Sequence, residues 1–122
     1  MKSPVDEKDS NNRTALFYCA KNSNLQSISE LFESKADLNT QDKDGFTPLH
    51  AAIIANNLRI CEYLVKHGAD INLTDNELHS VIHWAVICGN HQIVDFLLRF
   101  NAEAEIADIH GAYPIHYAGS FS

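Results

Sequence analysis

Gly45-Phe46-Thr47-Pro48-Leu49-His50-Ala51-Ala52 decides the fold, because the stretch returns at a fixed interval. At an offset of 33 residues stands Leu78-His79-Ser80-Val81-Ile82-His83-Trp84-Ala85. One further period brings Gly111-Ala112-Tyr113-Pro114-Ile115-His116-Tyr117-Ala118. A weaker copy, Asn12-Arg13-Thr14-Ala15-Leu16-Phe17-Tyr18-Cys19-Ala20, lies one period before the first. A period of this length marks a stack of similar small units. Such a stack offers a long open surface and no central cleft, which favours binding over catalysis.

The second copy reads most clearly. Asp42-Lys43-Asp44-Gly45 has turn chemistry, with Gly45 free to take positive φ. Thr47-Pro48 is a helix start: the hydroxyl can accept from an orphan amide, and proline is tolerated at the first helical position. Leu49, Ala52 and Ile53 recur at helical spacing. Asn56-Asn57 breaks that helix, and a second runs from about Leu58 with Ile60, Cys61, Leu64 and Val65 on one face. His67-Gly68 ends it, and Ala69-Asp70-Ile71-Asn72 is expected to run extended into the turn at Asp75. Neither helix could bury its face alone, so the units must stack.

Gly45-x-Thr47-Pro48-Leu49-His50-x-Ala52, in phase with His67-Gly68-Ala69-Asp70-Ile71-Asn72, resembles the ankyrin repeat, and the resemblance runs from about Val5 to Ser122. It implies an all-α ankyrin-repeat solenoid of helix-turn-helix units joined by β-turn links, about three and a half repeats long. The expected division is a flexible N-terminus with the remnant of a preceding repeat (1–8), a divergent first repeat (9–41), a second (42–74), a divergent third (75–107) and half of a fourth (108–122). The first repeat carries Asn12 for the turn glycine, Ala15 for proline and Phe17 for histidine. The third carries Leu78, Ser80 and Val81 in place of Gly, Thr and Pro, and Asn101 and Glu105 alter its closing link. Terminal repeats of a solenoid normally have a polar outer face. The last unit instead offers Tyr113, Ile115, Tyr117 and Phe121, so either a longer protein continues past Ser122 or this end self-associates; the former is the favoured expectation.

Bulk properties narrow the function. Of 122 residues 45% are apolar, enough to fold, and the net charge of −7 with nine scattered Lys and Arg gives no stripe for nucleic acid. No apolar run has membrane-span length, and no secretory h-region follows Met1. Cys19, Cys61 and Cys88 form no CxxC pair and point to a reducing, cytoplasmic or nuclear setting.

Three histidines in register, His50, His83 and His116, invite a metal site. Packed helices sit about 10 Å apart, whereas zinc needs ligand atoms at about 2 Å. No metal and no cofactor is therefore expected, and the resemblance implies a structural ring that bonds the backbone of adjoining turns. Cys88 near His83 or His91 lacks a pocket or an oxyanion site, and no GxGxxG, P-loop or GxSxG motif occurs, so no catalytic residue is assigned. Carboxylates read as solvated turn and outer-face residues, and Trp84, Cys19 and Cys61 as core. The resemblance also implies asparaginyl hydroxylation at the link, with a Leu eight residues upstream, which Leu64 with Asn72 and Leu31 with Asn39 both supply.

In ankyrin proteins the turn tips and first helices line a concave groove. Carried onto this chain, the tips include Arg13, Lys43, Asp44, Phe46, Asn76, Glu77, His79, Ile109 and His110. The helix positions are Lys21, Asn22, Ile54, Ala55, Ile87 and Cys88. Contiguous exposed apolar groups mark protein contact sites, and Arg13 with Lys21 could steer an acidic segment. The expectation is a non-enzymatic protein-interaction module that binds another protein's peptide or helix. The alternative is a regulatory or targeting arm of a larger enzyme or membrane protein. Neither expects nucleic acid or direct membrane insertion.

Overall fold

Six short helices form the described part of the chain, and each begins where a polar side chain satisfies an amide that the helix leaves without a partner. In a computed structural model, residues 6–100, 108, 110 and 111 are described. The helices are α1 (Ala15–Lys21), α2 (Leu25–Glu33), α3 (Pro48–Ile54), α4 (Leu58–Lys66), α5 (Val81–Ile87) and α6 (His91–Arg99). No strand occurs among the described residues. Thr14, Thr47 and Ser80 cap the odd-numbered helices, and Asn24, Asn57 and Asn90 the even-numbered ones. In every case the cap side chain accepts from the third helical amide, closing one orphan donor of the first turn. The second helix of each pair is preceded by a left-handed residue: Ser23 (φ 61°), Asn56 (φ 62°) or Gly89 (φ 70°).

The odd helices pack side by side, α1 on α3 and α3 on α5, and each also packs on the even helix of its own pair. Leu16, Leu49 and Ile82 repeat one buried position on the odd helices, and Leu64 and Leu97 repeat one on the even helices. Burying each such side chain contributes ~1.5–3 kcal/mol, and helices of seven to nine residues need that contribution to persist. Core residues of the three pairs join into one cluster.

The turns are stitched as tightly as the helices. Asp9, Asp42, Asp75 and Asp108 occupy one register position. Asp42 Oδ1 accepts from the amides of Asp44 and Phe46, both at 2.9 Å. Asp75 Oδ1 accepts from Glu77 at 2.9 Å and His79 at 2.8 Å. Successive tips are then joined: Lys43 N–H donates to Asn11 O at 3.0 Å, and Asn76 N–H to Asp44 O at 2.9 Å. Asn76 Nδ2 adds a second bond, to Lys43 O at 2.8 Å.

His50 is fully buried. Its Nδ1 faces the Thr47 amide at 3.3 Å and the Thr47 hydroxyl at 2.8 Å, so that nitrogen is the acceptor. Its Nε2 then donates to His79 O of the next turn at 3.2 Å. Burial holds the His50 pKa below the ordinary histidine value, which keeps the ring neutral and this bond pattern intact. His83 repeats the first half of the arrangement with the Ser80 amide at 3.1 Å and hydroxyl at 3.0 Å.

Two sequence expectations are corrected here. The segment after Gly68 is not extended: the chain turns at Ile71 and Asn72, where Asn72 N–H bonds Asp70 Oδ1 at 2.9 Å. The turn carboxylates are not all solvated either. Asp42, Asp75 and Asp108 are buried, because they serve as acceptors for the backbone of their own turns. At the N-terminal end Asp6 Oδ1 accepts from Asp37 N at 2.9 Å, as Asn39 Oδ1 accepts from Asp70 N at 2.7 Å one period on. Asp6 thus performs the closing contact of a unit. The expectations for Ile109, His116, the altered link at Asn101 and Glu105, and the apolar end at Tyr113, Ile115, Tyr117 and Phe121 lie outside the described residues.

Candidate partner-binding surface

The C-terminal ends of the odd helices and the turn tips share one face, because the helix pairs repeat in register. Ile54 ends α3 with 45% of its surface exposed, Lys21 ends α1 exposed, and Ile87 ends α5 half-buried. One position on, Asn22 and Cys88 are exposed and Ala55 is half-buried. Structure therefore places the six helix positions in one row.

Between α1 and α3 the face sinks into a recess of about 340 Å³. Arg13, Lys21, Phe46, Ile54 and Ala55 line it, five of the residues expected from sequence. Two residues that sequence reasoning missed also line it, Phe17 and Ala51. Phe17 carried a signal, since it replaces the histidine of the later units with a ring that makes no turn bond. Ala51 carried none, because its role arises only when α1 and α3 meet.

Local contacts hold the recess in shape. The Phe46 ring packs edge-on to His50 at 5.8 Å and Trp84 at 5.7 Å. Arg13 Nε donates to buried Asp42 Oδ2 at 3.1 Å, and its guanidinium carbon lies 4.9 Å from the Phe17 ring centre. The bond to Asp42 raises the Arg13 pKa further, and the Tyr18 hydroxyl adds to the effect. That hydroxyl also donates to Asp9, whose carboxyl it holds below its ordinary value. Lys21 forms no ion pair among the described residues.

Other expected tip residues have different surroundings. Lys43, Asp44, Asn76, Glu77 and His110 are exposed, although Asn76 and the Asp44 carbonyl also stitch neighbouring turns. His79 is half-buried, with Nδ1 3.2 Å from Asp75 Oδ2 and Nε2 3.1 Å from Asp108 Oδ2. Trp84 is half-buried and packs against the core, and its indole N–H donates to Asp75 Oδ2 at 3.1 Å. Leu78, which replaces the turn glycine, is 47% exposed at the third tip.

Cys61 is buried, and desolvation pushes its thiol up to about 12. Cys19 is half-buried and packs against the core, and Cys88 is exposed; desolvation raises both thiols. Asn72 is exposed and Asn39 half-buried. Among the described residues no three His, Cys, Asp or Glu side chains converge as a metal site, and no helix is long and apolar enough to cross a membrane.

A family profile described as ankyrin repeats, in three copies, matches residues 1–75. A second, described as ankyrin repeat, matches residues 77–106. No curated protein matches the chain.

Proposed function

Because the chain belongs to the ankyrin-repeat family, whose members are generally protein-interaction modules, we propose that it binds a segment of a partner protein through the face made by its turn tips and odd helices. The observation that carries this is the recess lined by Phe46 and Ile54, with half-buried Ile87 at the position of Ile54 one period on. Contiguous apolar surface of this kind favours protein contact, and a half-buried aromatic such as Phe46 is a suitable anchor. Lys43, Asp44, Asn76, Glu77, Cys88, Ile109 and His110 complete the proposed contact set. The role is non-enzymatic, that of an adaptor or scaffold, in the cytoplasm or nucleus. The three unpaired thiols are consistent with that location.

Crosslinking pull-down with the wild type and a Phe46→Asp, Ile87→Asp double variant tests the proposal, after circular dichroism shows both folded. A partner captured by the wild type and lost by the variant supports the face. Equal capture by both moves the contact to the even helices and refutes it.

Asn72 is also proposed as a hydroxylation site in preference to Asn39. Asn72 is exposed, whereas Asn39 is half-buried. A peptide mass showing no added oxygen at Asn72 in protein from hydroxylase-containing cells would count against it.

A further inference from the structure

The face proposed above is not uniform along its length. Its recess between α1 and α3 has apolar walls from Phe17, Phe46, Ala51, Ile54 and Ala55, and among the described residues Arg13 and Lys21 are its charged lining. Among the described residues no carboxylate lines it, in a chain whose net charge is −7.

The two cations differ in availability. Arg13 is fixed, with Nε held by the buried Asp42 carboxylate at 3.1 Å and the guanidinium lying over Phe17. Asp42 offsets much of its charge, so Arg13 acts mainly as a rigid wall. Lys21 is solvent-exposed in the last turn of α1 and has no ion pair among the described residues. The recess therefore has at its mouth a positive charge with no ion-pair partner among the described residues. The Phe46 wall is held from behind by His50 and Trp84, so little ordering remains to be done on binding. A volume of about 340 Å³ falls at the lower end of the ~300–1,000 Å³ typical of ligand pockets, which suits one large side chain rather than a whole segment.

Resting on the interaction face assigned above, we propose that this recess is its anchor subsite, and that it takes one large apolar side chain of a partner protein that has Asp or Glu beside it. The ring or branched side chain fills the space between Phe17, Phe46 and Ile54, and the adjacent carboxylate meets Lys21. An acidic neighbour gains attraction at Lys21, and a basic one is repelled there.

A random heptapeptide phage library panned on the full 122-residue chain supplies the probe. The enriched peptides are made with a fluorescent label, and binding is read by anisotropy. The expected winners carry Leu, Ile, Met, Phe or Trp with Asp or Glu within two positions. Ala55→Leu, which fills the recess from its edge, should weaken them at least roughly tenfold, the scale of a lost hot-spot contact. Lys21→Glu, at an exposed position, should invert the selection, so that repanning favours Lys or Arg beside the same apolar anchor.

Loss of binding in Ile87→Asp with no change in Ala55→Leu would leave the interaction face standing and overturn the subsite. Insensitivity to all three variants would overturn both. Basic flanks on the wild type, or no enriched sequence at all, would overturn the subsite chemistry. A dimer of the chain that dissociates in Ala55→Leu would assign the recess to a second copy and overturn it as well. Should Ala55→Leu fail to fold by circular dichroism, the inversion by Lys21→Glu decides alone.

Discussion

Gly45-Phe46-Thr47-Pro48 and Leu78-His79-Ser80-Val81 adopt the same backbone with no residue in common. Gly45 has φ 87° and Leu78 has φ 63°. Thr47 caps its helix at ψ 168° and Ser80 at ψ 174°. What the two stretches share lies around them: an aspartate that accepts two turn amides, a hydroxyl that accepts from the third helical amide, and a histidine that closes the capping box. The conformation is thus imposed by acceptors. Glycine and proline only lower its cost, and Leu78 shows that the network can hold a left-handed residue at a penalty of about 1–2 kcal/mol.

Removing the shared part should hurt most. His50→Ala leaves the Thr47 amide and the His79 carbonyl without their ring partner, and empties a fully buried site. The expected loss is about 3–4 kcal/mol, combining a cavity with unmet polar groups. Urea denaturation measures it, and His83→Ala should be of similar size. A loss below about 1 kcal/mol for both would show that the turns stand without the rings.

Exchanging the differing part should hurt in one direction only. A Cβ at Gly45 would meet Asn76 N at 2.7 Å and Asp75 C at 2.9 Å, because the second and third tips are bonded together there. Gly45→Leu should therefore cost about 2–3 kcal/mol through overpacking and left-handed strain. Leu78 tolerates its side chain because nearly half of it lies in solvent. Equal tolerance of leucine at both positions would contradict the close approach at Asn76.

Much of this was legible in the sequence. The period, the threonine cap and the histidine column are local patterns, and α3 begins where they place it; Asn57, read as a helix break, proves to be the cap of α4. The aspartate column at 9, 42, 75 and 108 was equally visible, yet turn aspartates ordinarily read as solvated. Their burial follows from the stacking of turns, which no single unit encodes. The same holds at the candidate site. The ankyrin resemblance, carried over in register, named Phe46, Ile54 and Lys21 among the groove residues, and all three line the recess. It could not show that Asp42 engages Arg13, that His79 sits between two carboxylates, or that Phe17 and Ala51 close a recess. Those facts depend on side chains from different units meeting.

Acid should act on the shared part through His50. Its folded-state pKa lies below the unfolded value because burial disfavours the charged ring. The unfolded chain therefore binds a proton that the native ring refuses. The stability His50 contributes is full above about pH 6.5 and falls as pH drops below it, by at most about 1.4 kcal/mol per pH unit for one group. His50→Phe, which copies the first unit's Phe17, should flatten that slope between pH 6.5 and 5 by up to one proton. An unchanged slope would assign the acid sensitivity elsewhere.

A milder exchange tests the strain directly. Leu78→Gly removes the left-handed penalty and an exposed side chain, at the entropic cost of a freer unfolded chain. The net expectation is a stabilisation of about 0.5–1 kcal/mol. A destabilised Leu78→Gly would mean that the leucine makes contacts worth more than its strain.

The smallest effect belongs to proline. Val81 begins α5 as Pro48 begins α3, and Ser80, with φ −80° and ψ 174°, already has the extended conformation that a following proline requires. The amide at this first helical position has no intrahelical acceptor to lose. Val81→Pro should therefore restrict the unfolded chain without straining the folded one, raising stability by about 0.4 kcal/mol after loss of some of the packing around a fully buried valine. A measurable destabilisation would place the valine's apolar contacts above the backbone effect. It would also show that the third unit has traded the proline of the second for a better-packed core.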